Sequence, residues 1–283
     1  MSDSDSEYAD EYGEINFPFI DALPTDPDKL ILFVGRPGSG KSVAMMAHVS
    51  NLLARGQQND GGGCRSAVVF TSTAYSTPWR KLLIPNVVFD MKRHTERIER
   101  FVSLQEAYSK ALGQERARKT INTCFVLDDV IGKMRGVASG GNPQMNHLVT
   151  CYRHITGHGQ FLVSTQHSRR LGTTFREDFS LAVIFRSASG GNLRGLHEDY
   201  ASEFIPDFDT FRKILSQLPR FHALVVDRDA NNGKGAVFVF KANPGHIFDA
   251  GISFPDPYEV ADEVLEEEGP MDDEAERAQG LQI

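Results

Sequence analysis

Short, almost continuous apolar runs alternate along this chain with longer polar stretches of helical character. The clearest apolar runs, which we predict to be strands, are residues 30–34, 67–71, 123–127, 161–165 and 181–185. Uninterrupted runs of this length are typical of strands buried on both faces, as in a parallel sheet. The pattern therefore predicts an α/β fold with a mostly parallel central sheet covered by helices on both faces.

The segments between these runs predict the rest of the framework. We predict helices at 41 to about 54, about 95 to 118 and about 143 to 155, and two short helical stretches between about 196 and 217. A short strand is predicted at 87–89, and a late pair of strands at 222–226 and 237–240. In open α/β sheets ligands bind at the carboxyl ends of the strands, so the residues that follow each strand are the functional candidates.

The first candidate is an eight-residue stretch, GRPGSGKS, between the first strand and the first helix. It fits the phosphate-binding pattern G-x-x-x-x-G-K-[ST] at every fixed position. Such a loop turns its backbone N–H groups toward phosphate oxygens, the lysine reaches the β- and γ-phosphates, and the serine hydroxyl binds Mg²⁺. The predicted nucleotide-binding residues are Gly35, Arg36, Pro37, Gly38, Ser39, Gly40, Lys41 and Ser42.

Two further polar groups follow strands. Asp128 and Asp129 complete the strand at 123–127, which is the Walker B pattern. The first carboxylate is expected to help hold Mg²⁺ together with Ser42, and Asp129 is expected to orient or deprotonate the attacking water. Gln166 follows the strand at 161–165, where its amide can hydrogen-bond the γ-phosphate or the attacking water and so sense the nucleotide.

An arginine between these motifs is a candidate arginine finger. Arg153 lies near the end of the helix that leads into the strand before Gln166. In that role it would donate to a neighbouring subunit's γ-phosphate. A surface position or a contact with DNA phosphates explains Arg153 about equally well, and Arg169 and Arg170 are the alternative fingers. The basic, glycine-containing loop at 133–136 is a further candidate for contact with DNA.

Charge is distributed unevenly along the 283 residues. Residues 1–14 have a net charge of −6 and residues 256–277 a net charge of −10, whereas the whole chain has −8. The remainder is therefore basic, by about +8. We predict acidic disordered tails at 1–14 and 251–283, and a P-loop ATPase domain at 15–250. Three scattered cysteines and no apolar segment long enough to span a bilayer favour a soluble intracellular protein.

Taken together, four motifs resemble the FtsK–HerA superfamily of DNA-pumping ATPases. They are the phosphate loop, VLDDV at 126–130, YRH at 152–154 and STQ at 164–166. Within that superfamily, the short chain and the arginine–histidine pair are similar to the genome-packaging ATPases of poxviruses and other large DNA viruses. The long acidic C-terminal segment departs from that pattern.

The resemblance implies both a structure and a function. It implies a RecA-like P-loop NTPase core that hydrolyses ATP with Mg²⁺, and a homo-oligomeric ring, expected to be a hexamer. It further implies that double-stranded DNA is moved into a preformed capsid, with capsid or portal-vertex proteins as partners. The resemblance also implies a viral protein that is found in the infected host cell or associated with the virion.

Other classes of protein explain the motifs less completely. A GTPase would need the base-reading motif N-K-x-D, which is absent from the sequence. A small-molecule or nucleotide kinase gives no reason for the tandem Asp128–Asp129 or for Gln166. Two alternatives stay open: a conjugative or segregation-type DNA pump, and a nucleotide-dependent assembly or scaffold protein.

Overall fold

The computed structural model describes residues 17–58, 63–72, 78–83, 87–91, 93–129, 143–186, 190–229 and 236–247. Within these ranges nine strands form one sheet, in the order β1-β9-β8-β7-β2-β6-β5-β3-β4. Their bounds are β1 Phe19–Ile20, β2 Leu30–Val34, β3 Ser66–Thr71, β4 Val88–Phe89, β5 Thr123–Asp128, β6 Phe161–Thr165, β7 Leu181–Phe185, β8 His222–Asp227 and β9 Val237–Lys241.

The sheet is mostly parallel, as the apolar runs predicted. Only the two ladders that β8 makes, with β7 and with β9, are antiparallel. All other neighbouring strands run in one direction. Consequently the carboxyl ends of β2, β5, β6 and β7 meet at one edge of the sheet.

Helices cover both faces of the sheet. They are α1 Lys41–Gln57, α2 Trp79–Leu82, α3 His94–Leu112, α4 Gln114–Thr120, α5 Pro143–Ile155, α6 Thr173–Asp178, α7 Gly190–Leu196 and α8 Phe208–Gln217. A single π-helical turn, His197–Ala201, continues α7. Two short 3₁₀ turns, Ser168–Arg170 and Pro244–His246, follow β6 and β9.

Strand β2 shows how the core is divided between the two faces. Leu30, Leu32 and Val34 pack into the apolar layer formed with α3, α5 and α8. Ile31 and Phe33 point the other way, into the layer formed with α1. All five side chains are fully buried, because the alternation of a strand places neighbours on opposite faces and both faces are covered.

The structure corrects the predicted helices in detail. The polar helix predicted from 95 to 118 is two helices, because the chain turns at Gly113 with a positive φ of 74°. Strand β1 and helices α2 and α6 were not predicted, since each is too short to show a periodic pattern. The tails at 1–14 and 251–283 and the basic loop at 133–136 lie outside the described residues.

Two further features concern the cysteines and the helices. Cys64 and Cys124 are buried and Cys151 is partly buried, and all three are free thiols. Among the described residues, no helix has both the length and the hydropathy needed to cross a bilayer.

Candidate active site

The order of three central strands brings the predicted motifs together. Strand β6 pairs with β2 on one side and with β5 on the other. The phosphate loop, residues 35–42, follows β2, while Gln166 follows β6. Asp128 ends β5, and Asp129 comes directly after it. Gln166 therefore lies between the phosphate loop and the two aspartates along the carboxyl edge of the sheet.

The backbone of the phosphate loop depends on its glycines. Gly38 and Gly40 adopt positive φ angles of 71° and 108°, a region that side-chain-bearing residues rarely enter. At Gly35 the reason is space, because an added Cβ would lie 2.7 Å from the Cβ of Phe185. The hydroxyl of Ser39 is buried and makes no hydrogen bond to any described residue. A phosphate oxygen in the loop would supply the partner that this hydroxyl lacks.

Lys41 is held inside the loop by the loop's own carbonyl groups. Its ammonium group donates to the carbonyl oxygens of Gly35, at 2.8 Å, and of Arg36, at 3.1 Å. The side chain is buried, and this desolvation lowers the pKa of Lys41, although the charges of Asp129 and Asp128 oppose the shift. The ammonium group is thus held against the backbone of the loop, where its charge would face a phosphate group bound there.

Asp128 is the carboxylate of the site that accepts the most hydrogen bonds. It is only 6% exposed and accepts three hydrogen bonds. The donors are Ser42 Oγ at 3.2 Å, Ser164 Oγ at 2.8 Å and the indole nitrogen of Trp79 at 2.9 Å. These bonds fix the carboxylate in one orientation next to the loop.

Ser42 and Asp128 form an oxygen donor set that fits Mg²⁺. Magnesium prefers hard oxygen ligands, and it is commonly bound by one or two protein oxygens together with phosphate oxygens and water. The hydroxyl of Ser42 and the nearest oxygen of Asp128 are 3.2 Å apart, close enough for both to approach one ion or its bound water. The described residues contain no cluster of three or more histidine, cysteine or acidic side chains suited to a metal.

Ser164 links the two aspartates of the site. Its hydroxyl donates to Asp128 and accepts the backbone N–H of Asp129 at 2.8 Å. Asp129 adopts a positive φ of 53°, which is uncommon for a residue other than glycine. The exposed carboxylate of Asp129 then meets the side-chain amide of Gln166, whose nitrogen lies 3.3 and 3.4 Å from its two oxygens. The predicted water-activating and sensing residues are therefore in contact.

Arg153 lies at the opposite edge of the sheet. Its guanidinium stacks over the Tyr152 ring at 5.8 Å and donates to the Tyr152 hydroxyl, which in turn donates to the carbonyl oxygen of Asp28. Asp28 precedes β2, whereas the phosphate loop follows it. Five residues at about 3.3 Å each put roughly 16 Å between these edges. This distance separates Arg153 from the phosphate loop of its own subunit. An arginine finger acts on the loop of a neighbouring subunit, so the role of Arg153 in trans stays a prediction.

The two alternative arginines lie at the carboxyl edge of the sheet, a few residues after Gln166. Arg169 pairs with Glu198 at 2.7 Å. Arg170 is exposed, and no carboxylate among the described residues lies within ion-pair distance of it. A finger needs a guanidinium free to reach another subunit, so Arg170 is the better placed of the two.

Several site residues carried no recognisable signal in the sequence. Ser164 stands within the STQ motif, but only the pairing of β6 with β5 shows that it contacts both aspartates. Trp79 is the only tryptophan of the chain, and nothing near it in sequence indicates that its indole reaches Asp128. A cleft beside the phosphate loop is also lined by Arg186 and Phe221, which come from distant segments.

Comparisons with known proteins give matches in structure only. No protein-family model matches the chain, and no curated protein matches its sequence. The genome-packaging NTPase B204 from Sulfolobus turreted icosahedral virus 2, in complex with ATP-gammaS, matches with a TM-score of 0.53 and 17% identity, over 77% of this chain and 98% of that chain. B204 from Sulfolobus turreted icosahedral virus, a DNA-packaging ATPase, matches with a TM-score of 0.51 and 14% identity, over 76% and 98%.

At these identities the likeness shows the fold alone. The chain has the α/β fold of P-loop NTPases, and the resemblance to viral genome-packaging ATPases is confirmed at the level of structure. The match extends over nearly the whole of the B204 chain, so the similarity involves a complete domain rather than the phosphate loop alone.

Proposed function

We propose that this protein is an ATPase that couples ATP hydrolysis to the movement of double-stranded DNA, and that it packages a viral genome into a preformed capsid. The proposed ATPase domain spans residues 15–250, between acidic segments at 1–14 and 251–283. The protein would act as a ring in the infected host cell, with capsid or portal-vertex proteins as partners.

One observation carries this proposal most strongly. Gln166 directly follows β6, the strand inserted between β2 and β5, and its side-chain amide contacts the Asp129 carboxylate. In that position it can report the state of the nucleotide to the residue that activates water. The structural likeness to B204, a DNA-packaging ATPase by name, supports the choice of DNA as the object moved.

The residues have distinct roles in this proposal. Lys41 exchanges its bonds to the loop carbonyls for bonds to the β- and γ-phosphates, so its charge is stabilised without being rehydrated. Asp129 accepts the proton of the attacking water or orients that water. Gln166 donates to Asp129 before nucleotide binds and to the γ-phosphate or the water afterwards. Mg²⁺, held by Ser42 and Asp128, would neutralise phosphate charge.

The test is steady-state phosphate release with Mg-ATP, measured without DNA, with linear duplex DNA and with single-stranded DNA. We expect duplex DNA to stimulate turnover and Lys41→Ala to abolish it, because the variant loses the charge that faces the phosphates. Lys110→Ala, which removes an exposed lysine from α3, is the matched control and keeps the wild-type rate. Equal melting temperatures show that the Lys41 variant is folded. Wild-type turnover by Lys41→Ala refutes the site.

Displacement of the third strand from a DNA triplex then tests movement along the duplex. A motor displaces the third strand only when ATP is hydrolysed. A nucleotide-dependent scaffold would hydrolyse or bind ATP without DNA stimulation and without displacement. A conjugative or segregation-type pump would also displace the strand. The DNA content of capsids assembled in infected cells separates it from a packaging motor, because Lys41→Ala leaves the capsids without DNA only if the protein packages the genome.

A further inference from the structure

A cleft of about 550 Å³ adjoins the phosphate loop on the side of β7 and β8. One wall is formed by loop residues 36–39. The facing wall is the turn at 219–222 that precedes β8, and Arg186 lies at the end of β7. Sites for small molecules typically measure roughly 300–1,000 Å³. The cleft therefore has room for the part of a nucleotide that extends beyond its phosphates.

Phe221 lines this cleft in an unfavourable backbone conformation. It has a positive φ of 70°, at a place where the N–H of His222 donates to the carbonyl oxygen of Pro219 at 3.2 Å. A turn with positive φ at its third position normally has glycine or asparagine there. A larger residue in this region is strained, because its Cβ approaches the backbone carbonyl oxygen. Such outliers persist where the surrounding structure imposes them, and they cluster at ligand sites.

Phe221 is also the one large apolar side chain that is clearly exposed among the described residues, at 39%. Its ring lies against the phosphate loop, since a Cβ added to Gly40 would be 3.3 Å from Cδ1 of Phe221. The guanidinium of Arg220 stacks over the ring at 4.6 Å. An exposed aromatic ring is thus fixed at the end of the loop, at the mouth of the cleft.

The cleft is also strongly basic. Arg36, Arg186 and Arg220 are exposed, and none of them pairs with a carboxylate of the described chain. Unpaired arginines attract an anionic ligand, and their planar guanidinium groups suit both phosphates and the faces of aromatic rings. The cleft therefore combines phosphate-binding charge with a surface for stacking.

We propose that Phe221, supported by Arg220, is the platform on which the base of the bound nucleotide stacks. The proposal rests on the proposed function, in which the phosphate loop binds ATP. A base laid on the exposed ring buries apolar surface that is otherwise in water. Stacking on an aromatic side chain accepts every base, but purines present the larger face. The platform therefore favours ATP and GTP over CTP and UTP.

The experiment compares two ligands by isothermal titration calorimetry in the presence of Mg²⁺. ATPγS has a base, whereas inorganic tripolyphosphate has phosphates only. The informative variant is Phe221→Gly, because glycine accepts the positive φ and preserves the turn while removing the ring. We expect it to weaken ATPγS binding about tenfold to a hundredfold, the range for loss of one base–aromatic stack. Binding of tripolyphosphate should stay within twofold of wild type.

Two further variants test the mechanism. Phe221→Tyr keeps an aromatic face and should bind ATPγS like the wild type. Arg220→Ala should weaken ATPγS binding about two- to fivefold, as expected for an exposed cation–π contact. Arg194→Ala is the matched control, because Arg194 stacks over Phe208 at the same 4.6 Å but outside the cleft. It should bind both ligands normally.

The outcomes separate this proposal from the proposed function. If the wild type binds neither ligand, or binds both without dependence on Lys41, the nucleotide site itself is refuted. If binding depends on Lys41 but Phe221→Gly binds ATPγS as tightly as wild type, only the platform is refuted. Equal loss of both ligands in a folded Phe221→Gly protein also overturns it, since Phe221 would then support the loop rather than the base.

Discussion

The hydrogen bond between Trp79 and Asp128 should contribute measurably to the stability of the fold. Both side chains are buried, and the indole nitrogen lies 2.9 Å from the carboxylate oxygen. A hydrogen bond to a charged group typically contributes about 1.5–3 kcal/mol. Trp79→Phe removes this donor and leaves Asp128 with two of its three bonds. The variant also leaves a small cavity, so its total cost exceeds that of the bond.

A double-mutant cycle separates the bond from the cavity. The cycle combines Trp79→Phe with Asp128→Ala. The free-energy cost of the cavity left by the smaller ring is present both with and without the Asp128 carboxylate, so it cancels in the coupling free energy. We expect a coupling free energy of about 1.5–3 kcal/mol. Unfolding in urea should be followed by far-ultraviolet circular dichroism, because Trp79 is the only tryptophan and its fluorescence is lost in the variant.

A carboxylate at the opposite edge of the sheet provides the control. Asp227 is bonded to Lys29 at 3.3 Å and ends the antiparallel strand β8, opposite to the end of the sheet where Asp128 lies. Its replacement by alanine should show coupling with Trp79→Phe below about 0.5 kcal/mol, as for distant sites. A coupling that small for Asp128 would refute the bond and the placement of α2 against the site.

Three further predictions concern catalysis, assembly and pH. Asp129→Asn should bind ATPγS like wild type while its turnover falls about 10²–10⁴-fold, the usual contribution of a general base. Arg153→Ala and Lys41→Ala should each be inactive alone, but mixed rings should recover activity where an intact loop meets an intact arginine, a contact worth roughly 10³–10⁵ in rate. Burial of His48 lowers its pKa to about 4, partly offset by its hydrogen bond to Gln160. Between pH 6.5 and pH 4, the His48 imidazole therefore binds a proton in the unfolded chain but stays neutral in the folded one. The free energy of unfolding in urea should be about 2–3 kcal/mol lower at pH 4.5 than at pH 7.

Each of these predictions has its own control. Equal loss of ATPγS binding in Asp129→Asn would make that carboxylate chiefly a metal ligand. Failure of mixed rings to recover, when subunit exchange is demonstrated by labelled protein, would exclude Arg153 as the finger and make Arg170 the next choice. Replacing His48 by glutamine keeps a donor for Gln160 but cannot titrate, so a pH dependence as steep as that of wild type would rule out His48 as its source.

The sequence determined the parts of this protein that depend on local patterns. Uninterrupted apolar runs occur where both faces of a strand are buried, so β2, β6 and β7 were located at their observed bounds. The glycines of the phosphate loop can also be recognised in the sequence. Positive φ angles and close approach of neighbouring atoms restrict the residue type at their positions to glycine. Asp128 and Gln166 could be placed at the carboxyl edge of the sheet because the end of a strand follows directly from the end of its apolar run.

Tertiary structure alone decided which of these strands are neighbours. Strand order is set by packing between segments far apart in sequence, and no local pattern encodes it. Because β6 lies between β2 and β5, Ser164 can form hydrogen bonds with both Asp128 and Asp129, and Gln166 can contact the carboxylate of Asp129. The same holds for Trp79, whose indole reaches the site from 49 residues away along the chain. For Arg153, the fold shows which edge of the sheet the side chain occupies, a fact that its place in the sequence left open.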